Sequence, residues 1–257
     1  MPWISFDLDG TLAEWPYGKA VISKFRAAFD HPEAGAAVQR EFRRRLSSDR
    51  PADAFEWDDI HEVARLELGF GELPLLGDLA ASATFDPGLV YPDTGLALAR
   101  MRAAGWRVAV GTNGLARYQQ VALGALGLEY EALLTPDTTG FVKPQAGFLE
   151  ALPRLSGDPG ATNGLVHVGD LLAQDILAAN RAGARAVWVW RAMPEHWRAV
   201  PPLSRAGHPD MRATLEEEFP AEIERDGRMG EFYDRAFPAP DLIVADLLEL
   251  SGALAEA

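Results

Sequence analysis

The chain has no cysteine among its 257 residues. Disulfides, thiolate catalysis, iron–sulfur clusters and cysteine zinc sites are therefore excluded. Lysine is scarce: only Lys19, Lys24 and Lys143 stand among 24 basic residues. Positive charge is also in deficit overall, with 38 acidic side chains and a net charge of −14. A broad nucleic-acid groove or a surface for anionic membranes is thus not expected. No apolar run approaches the ~20 residues that span a bilayer. The opening Met1-Pro2-Trp3-Ile4-Ser5-Phe6-Asp7 lacks the basic segment and apolar run of a signal peptide. A cytoplasmic protein is the expectation.

What is present is ordinary for a globular chain: 48% apolar and 24% charged residues. The length suits one large domain, or one domain carrying an insert. Five short apolar runs read as buried strands: Trp3–Asp7, Trp106–Gly111, Ala132–Leu134, Leu165–Gly169 and Ala184–Trp190. A sixth, Leu242–Val244, lies near the end. Helical patterns at Thr94–Ala104, Ala116–Leu126, Gln145–Leu155 and Leu172–Ala182 fall between most of them. Strands alternating with helices predict an α/β fold, with a parallel sheet covered on both faces.

Two stretches interrupt the alternation. From about Leu12 to Gly88 the pattern is helical throughout, as in Lys19–Phe29, Ala36–Leu46 and Trp57–Leu68. This predicts a helical subdomain over residues 13–88, inserted into a core of residues 1–12 and 89–257. The second stretch, residues 191–240, opens with Pro194, Pro201, Pro202 and Pro209. It reads as an elaborated connection within the core, peripheral to the chemistry.

Four strand ends carry candidate chemistry. The first closes in Asp7-Leu8-Asp9-Gly10-Thr11. Two carboxylates at i and i+2 leave a strand on the same side, where ligands of parallel sheets gather. Close carboxylates repel unless a cation or proton intervenes. An isolated Asp-x-Asp is more often a capped turn. The second strand ends in Val110-Gly111-Thr112-Asn113-Gly114; Thr112 and Asn113 suit either an anion or a helix cap. Lys143 precedes Pro144 near an expected helix start, where the macrodipole disfavours a cation. Such local conflicts mark functional sites, although a solvated lysine fits equally well. The fourth strand ends in His167-Val168-Gly169-Asp170, with Asp175 five residues on. Both acids suit a hard divalent cation, or simple helix capping.

Taken in order, FDLDGT, VGTNG, VKP and VGDLLAQD resemble the four motifs of the haloacid dehalogenase superfamily. The resemblance spans most of the chain outside Arg191–Pro240, and the interval before Tyr91 matches that superfamily's helical cap. It implies a Rossmann-like three-layer core with a parallel sheet, plus an inserted α-helical cap. It further implies a phosphatase acting on a small phosphorylated metabolite. Asp7 would be the nucleophile and Asp9 the general acid and base. Mg²⁺ would be held by Asp7, by Asp9 through its backbone carbonyl, and by Asp170. Thr112, Asn113 and Lys143 would bind the phosphoryl oxygens, and Asp175 would act from behind them, orienting Lys143 or a metal-bound water. A carboxylate at Asp9 favours phosphoryl transfer over dehalogenation, because a departing halide needs no proton. A phosphomutase carries the same motifs. A phosphonate hydrolase would require a cap lysine, with Lys19 and Lys24 as candidates. A receiver-like signalling domain or a non-catalytic phospho-ligand binder fits less well. Glu14, Trp15, Tyr17 and Lys19 would lie near the cap entrance.

Overall fold

A computed structural model of the chain describes residues 1–226 and 237–256. Residues 227–236 of the predicted connection, and Ala257, lie outside the described residues. Six parallel strands form one sheet: β1 (Trp3–Phe6), β2 (Arg107–Gly111), β3 (Ala132–Leu134), β4 (Val166–Gly169), β5 (Arg185–Val189) and β6 (Leu242–Val244). Their order is β3-β2-β1-β4-β5-β6. The chain winds outward on one side of β1 and returns to β4 on the other, so the topological switch falls between β1 and β4. Crevices for ligands open at such switch points, beyond the carboxyl ends of the strands. The motifs after β1 and β4 therefore meet at one place.

Strand side chains alternate between faces. Ile4, Phe6, Val108, Val110, Val166 and Val168 pack on one side with Leu98, Met101, Leu247 and Leu250, from the helices Thr94–Ala103 and Leu247–Glu256. Trp3, Ala109, Ala186 and Trp188 face the other layer, where Phe148, Leu152 and Leu177 cover them. Burial on both faces explains why the strands read as continuous apolar runs. The predicted helix Gln145–Leu155 is instead two short helices, Ala146–Glu150 and Leu152–Ser156. Pro153 lacks the N–H that would bond the Leu149 carbonyl, and the helix breaks there.

The interval after β1 is helical, as the sequence predicted. Gly18–Ile22 forms a wide π-helical turn that continues into Ser23–Ala28. The helices Ala34–Leu46, Trp57–Glu67 and Leu76–Ala81 follow. Phe25, Phe42, Phe55 and Ile60 form their core. The outgoing and returning segments lie side by side. Glu14 N–H donates to the Leu89 carbonyl (2.7 Å) and Tyr91 N–H to that of Leu12 (3.1 Å). The insert is thus anchored directly above the Asp7–Thr11 turn. No helix among the described residues is long and apolar enough to cross a membrane.

The long connection after β5 is held by Arg205, whose side chain is fully buried. Its guanidinium pairs in bidentate fashion with Glu249 (2.6 and 2.8 Å) and donates to the carbonyls of Val200 (2.8 Å) and Ile243 (3.1 Å). Replacing Arg205 with Met leaves Glu249 and these carbonyls without their donor. The loss should be about 3 kcal/mol of unfolding free energy, at the low end for a broken buried pair because Glu249 retains some water. Urea unfolding of the variant checks this, and a change below about 1 kcal/mol would mean that the connection is held by its apolar contacts alone.

Candidate active site

Asp7 leaves β1 with its N–H donated to the Val168 carbonyl of β4 (2.8 Å), which locks it across the switch point. Gly10 follows at φ +98°, a left-handed conformation that favours glycine. A Cβ built there would stand 2.3 Å from Asp170 Oδ2. Glycine is therefore what allows the first motif to approach the fourth. Thr11 Oγ1 reaches Asp170 Oδ1 at 3.4 Å.

At the centre lies Lys143, only 1% exposed. Its Nζ donates to Asp7 Oδ1 (2.6 Å), Asp175 Oδ1 (2.6 Å) and the Gly111 carbonyl (3.0 Å). All three ammonium donors are thus assigned. Asp175 Oδ1 also lies 3.2 Å from His167 Nε2, and its Oδ2 accepts from Leu171 N–H (3.1 Å). Both Asp175 oxygens are thus engaged, by Lys143, His167 and the Leu171 main chain. Asp7, Asp170 and Asp175 each bring one carboxylate oxygen within 4.8 Å of the others.

The electrostatics follow from crowding. Burial, against the pull of Lys143 and with the push of Asp175 and Asp9, raises Asp7 to about 7. Burial, then the charges of Asp7 and Asp175, raise Asp170 well above the usual carboxylate range. Asp175 goes the other way: burial opposes its charge, but Lys143 and His167 hold it low. Lys143 is raised, because Asp175 and Asp7 outweigh its burial. Burial keeps His167 neutral. Asp9 is raised to about 6, chiefly by burial and despite a hydrogen bond from Gln119 Nε2 (3.3 Å). One Asp9 oxygen has no partner among the described residues. Three raised carboxyls, Asp7, Asp9 and Asp170, crowd a lysine already shared, so their charged forms lack compensation, and the donors are all hard oxygens. That set fits a hard divalent cation.

The other predicted residues fall around this centre. Thr112 is buried beside it, its Oγ1 accepting from Gly114 N–H (3.2 Å). The side chain of Asn113 is engaged within the protein. Its Oδ1 accepts from Lys143 N–H (2.8 Å), and its Nδ2 donates to Gln174 Oε1 (2.8 Å) and the Lys143 carbonyl (3.3 Å). Asn113 positions the lysine segment. Lys19 pairs with Glu14 (2.8 Å) and Lys24 is exposed; neither lines the cleft over Asp7.

Several contributors were not legible in the sequence. Gln119, His167 and Gln174 look like ordinary helix or strand residues until the sheet brings them in. The connection after β5 is not merely peripheral, contrary to expectation. Arg191 stacks on Tyr91 at 3.6 Å, pairs with Asp93 (3.2 Å) and donates to the Gly10 carbonyl (3.2 Å) and that of Thr11. Glu222, from the helix Met211–Asp226, accepts from Leu172 N–H (2.8 Å) and Ala173 N–H (2.7 Å). It caps the π-helical turn Leu172–Ile176 that carries Asp175. A carboxylate reaching a helix start from afar leaves no local signature.

Above Asp7, Asp9 and Thr112 opens a cleft of about 930 Å³, roofed by the helical insert. Trp15, at φ +48°, and Tyr17 both line it.

A sheet of this order, with acids and a lysine converging at its switch point under a helical insert, defines a capped α/β hydrolase. The model of the haloacid dehalogenase-like hydrolases matches residues 1–183, and the chain belongs to that family. It is 29% identical over 194 residues to a glyceraldehyde 3-phosphate phosphatase of Methanothermobacter thermautotrophicus, covering 72% of this chain and 84% of that one. To a probable phosphatase, IndB, of Dickeya dadantii it is 28% identical, over 73% and 80% of the two chains. Among solved structures, a HAD phosphatase from Thermococcus onnurineus superposes with a TM-score of 0.60 at 21% identity, covering 99% of this chain and 98% of that one. The L-2-haloacid dehalogenase of Xanthobacter autotrophicus also gives 0.60, at 18% identity and 99% of both chains. These structures share the fold.

Glu222→Ala should expose the cost of the long-range cap. Two buried N–H groups would lose their acceptor, at about 1–3 kcal/mol each. Denaturant unfolding measures the loss. Stability unchanged within about 0.5 kcal/mol would mean that water replaces the carboxylate.

Proposed function

We propose that the protein is a Mg²⁺-dependent phosphatase that hydrolyses a phosphate monoester of a small metabolite through an aspartyl-phosphate. The observation that carries this is Asp7, paired with buried Lys143 at 2.6 Å, beside a second carboxyl, Asp9, on the floor of one cleft. Asp7 Oδ attacks phosphorus, forming a carboxylate–phosphorus bond as the ester P–O bond breaks. Asp9 gives its proton to the departing alkoxide. It then takes a proton from the water that attacks the aspartyl-phosphate, releasing inorganic phosphate and restoring Asp7. A carboxyl raised to about 6 suits both duties near neutral pH. Lys143 orients Asp7 and opposes the rise that burial imposes on it, and Asp175 with His167 keeps Lys143 in place. The Thr112 hydroxyl and the backbone N–H groups beside it receive phosphoryl oxygens. Mg²⁺ would be held by Asp7, Asp170 and the Asp9 main chain, and would neutralise phosphoryl charge.

Asp9 separates this activity from that of the dehalogenases sharing the fold, since a halide leaves without a proton. The relatives named as phosphatases support the same choice. The motifs contain nothing that separates hydrolysis from mutase chemistry; transfer to water is favoured by those relatives.

Asp7→Asn should lower kcat for p-nitrophenyl phosphate by at least about three orders of magnitude, with the fold intact by circular dichroism. EDTA should abolish turnover and Mg²⁺ restore it. Full activity of folded Asp7→Asn would sink the mechanism. Asp9→Asn offers a second check. Its loss in kcat/KM should be at least about tenfold greater for ethyl phosphate than for p-nitrophenyl phosphate, because nitrophenolate departs without a proton. Equal losses would remove Asp9 from the role of acid.

A further inference from the structure

The cleft above Asp7 continues deep into the helical insert, and its inner wall differs from its floor. The floor is polar, with Asp7, Asp9 and Thr112. The inner wall carries Phe25, Phe42 and Trp57, with the Phe42 and Trp57 rings stacked at 5.5 Å. His61 lies flat against Phe25 at 4.0 Å and is 7% exposed. Burial pushes its imidazole down to about 4, so it is uncharged at neutral pH.

Three buried polar atoms of the residues that line it have no hydrogen-bond partner among the described residues: Tyr17 Oη, Gln39 Nε2 and His61 Nδ1. Buried polar groups in folded proteins are nearly always hydrogen-bonded. These three atoms are shielded from solvent by neighbouring groups; the surface that the cavity offers a ligand is the aromatic one. Size points the same way. Pockets of roughly 300–1,000 Å³ enclose drug-sized molecules, and this cleft holds about 930 Å³. Glyceraldehyde 3-phosphate, the compound in the relatives' name, would leave most of it to water.

We propose that the substrate is the phosphate monoester of a bulky, ring-bearing, largely apolar alcohol, whose body occupies the aromatic cavity under the insert while its phosphoryl group meets Asp7. This rests on the phosphatase activity proposed above and adds the class of alcohol. Flat aromatic walls favour ring systems through stacked and edge contacts. Because the insert supplies these rings and the sheet supplies the chemistry, selectivity for the alcohol is separable from hydrolysis.

The test compares 2-naphthylmethyl phosphate with ethyl phosphate and glyceraldehyde 3-phosphate, in the full-length protein with Mg²⁺. Naphthylmethyl and ethyl phosphates both release primary alkoxides, so leaving-group chemistry is closely matched. One methylene in an apolar pocket is worth about 10–200-fold; the naphthyl ester should therefore exceed the ethyl ester in kcat/KM by at least about 100-fold. Val38, partly buried on the cavity wall, offers the variant. Val38→Phe should cut that preference at least about tenfold while leaving ethyl phosphate within about twofold. Equal or higher kcat/KM for ethyl phosphate or glyceraldehyde 3-phosphate in the wild type would overturn the proposal. A second readout needs no turnover: 2-naphthylmethanol, without phosphate, should quench tryptophan fluorescence saturably, and more weakly in Val38→Phe. If no ester is hydrolysed, the phosphatase activity falls and this binding decides the cavity. Saturable quenching sensitive to Val38→Phe sustains it, and none up to millimolar naphthylmethanol overturns it.

Discussion

One buried ammonium organises the site. Lys143 is buried away from solvent, so its charge must be met by protein oxygens, and three of them meet it at 3.0 Å or less. An unpaired buried cation is intolerable, and this requirement fixes the positions of Asp7 and Asp175 relative to one another. Everything else follows from the arrangement. Asn113 and Gln174 hold the lysine segment in place, and His167 and Leu171 N–H finish the valences of Asp175. A lysine shared between two carboxylates cannot also neutralise Asp170. Ionising Asp7 and Asp170 together would leave negative charge that Lys143 does not meet, and a hard cation would answer it.

The sheet and its two additions divide the work. The strand ends carry reactive groups because parallel strands deliver their carboxyl termini to a common edge. The helical insert contributes no carboxylate to the central cluster, and supplies instead an aromatic wall with Phe25, Phe42 and Trp57. The connection after β5 braces the arrangement from behind, through Arg191 on the first motif's turn and Glu222 on the fourth motif's helix. Two π-helical turns, Gly18–Ile22 and Leu172–Ile176, flank the cleft on opposite sides. Such irregular turns recur at functional sites, where a side chain must be re-aimed without breaking its helix.

Much of this was legible in the amino-acid order. Near-continuous apolar runs located all six strands, because two-sided burial leaves no room for polar alternation. The Asp7–Asp9, Thr112 and Asp170 groups stood out because each sits just past a strand, where parallel sheets gather their ligands, and Lys143 because a cation is disfavoured at a helix start. Pro153 and its effect on the helix after Lys143 are local, yet the periodicity masked the break. Asn113 was placed at the site, where its side chain turns out to hold the Lys143 segment. Its preference for caps and anions is intrinsic, whereas its actual partners, Lys143 and Gln174, are 30 and 61 residues away.

The sequence by itself determined the alternation of strands and helices, the inserted helical segment and the carboxylates and lysine at strand ends. These rest on short-range periodicity and on residue chemistry that needs no partner to be recognised. Only the tertiary structure decided which carboxylate holds Lys143, that Glu222 and Arg191 reach back to the motifs, and that the insert encloses an aromatic cavity. Those outcomes depend on contacts between residues tens to hundreds of positions apart. Their physical cause is the need to satisfy each buried charge and donor once the sheet has closed, and no local pattern encodes it.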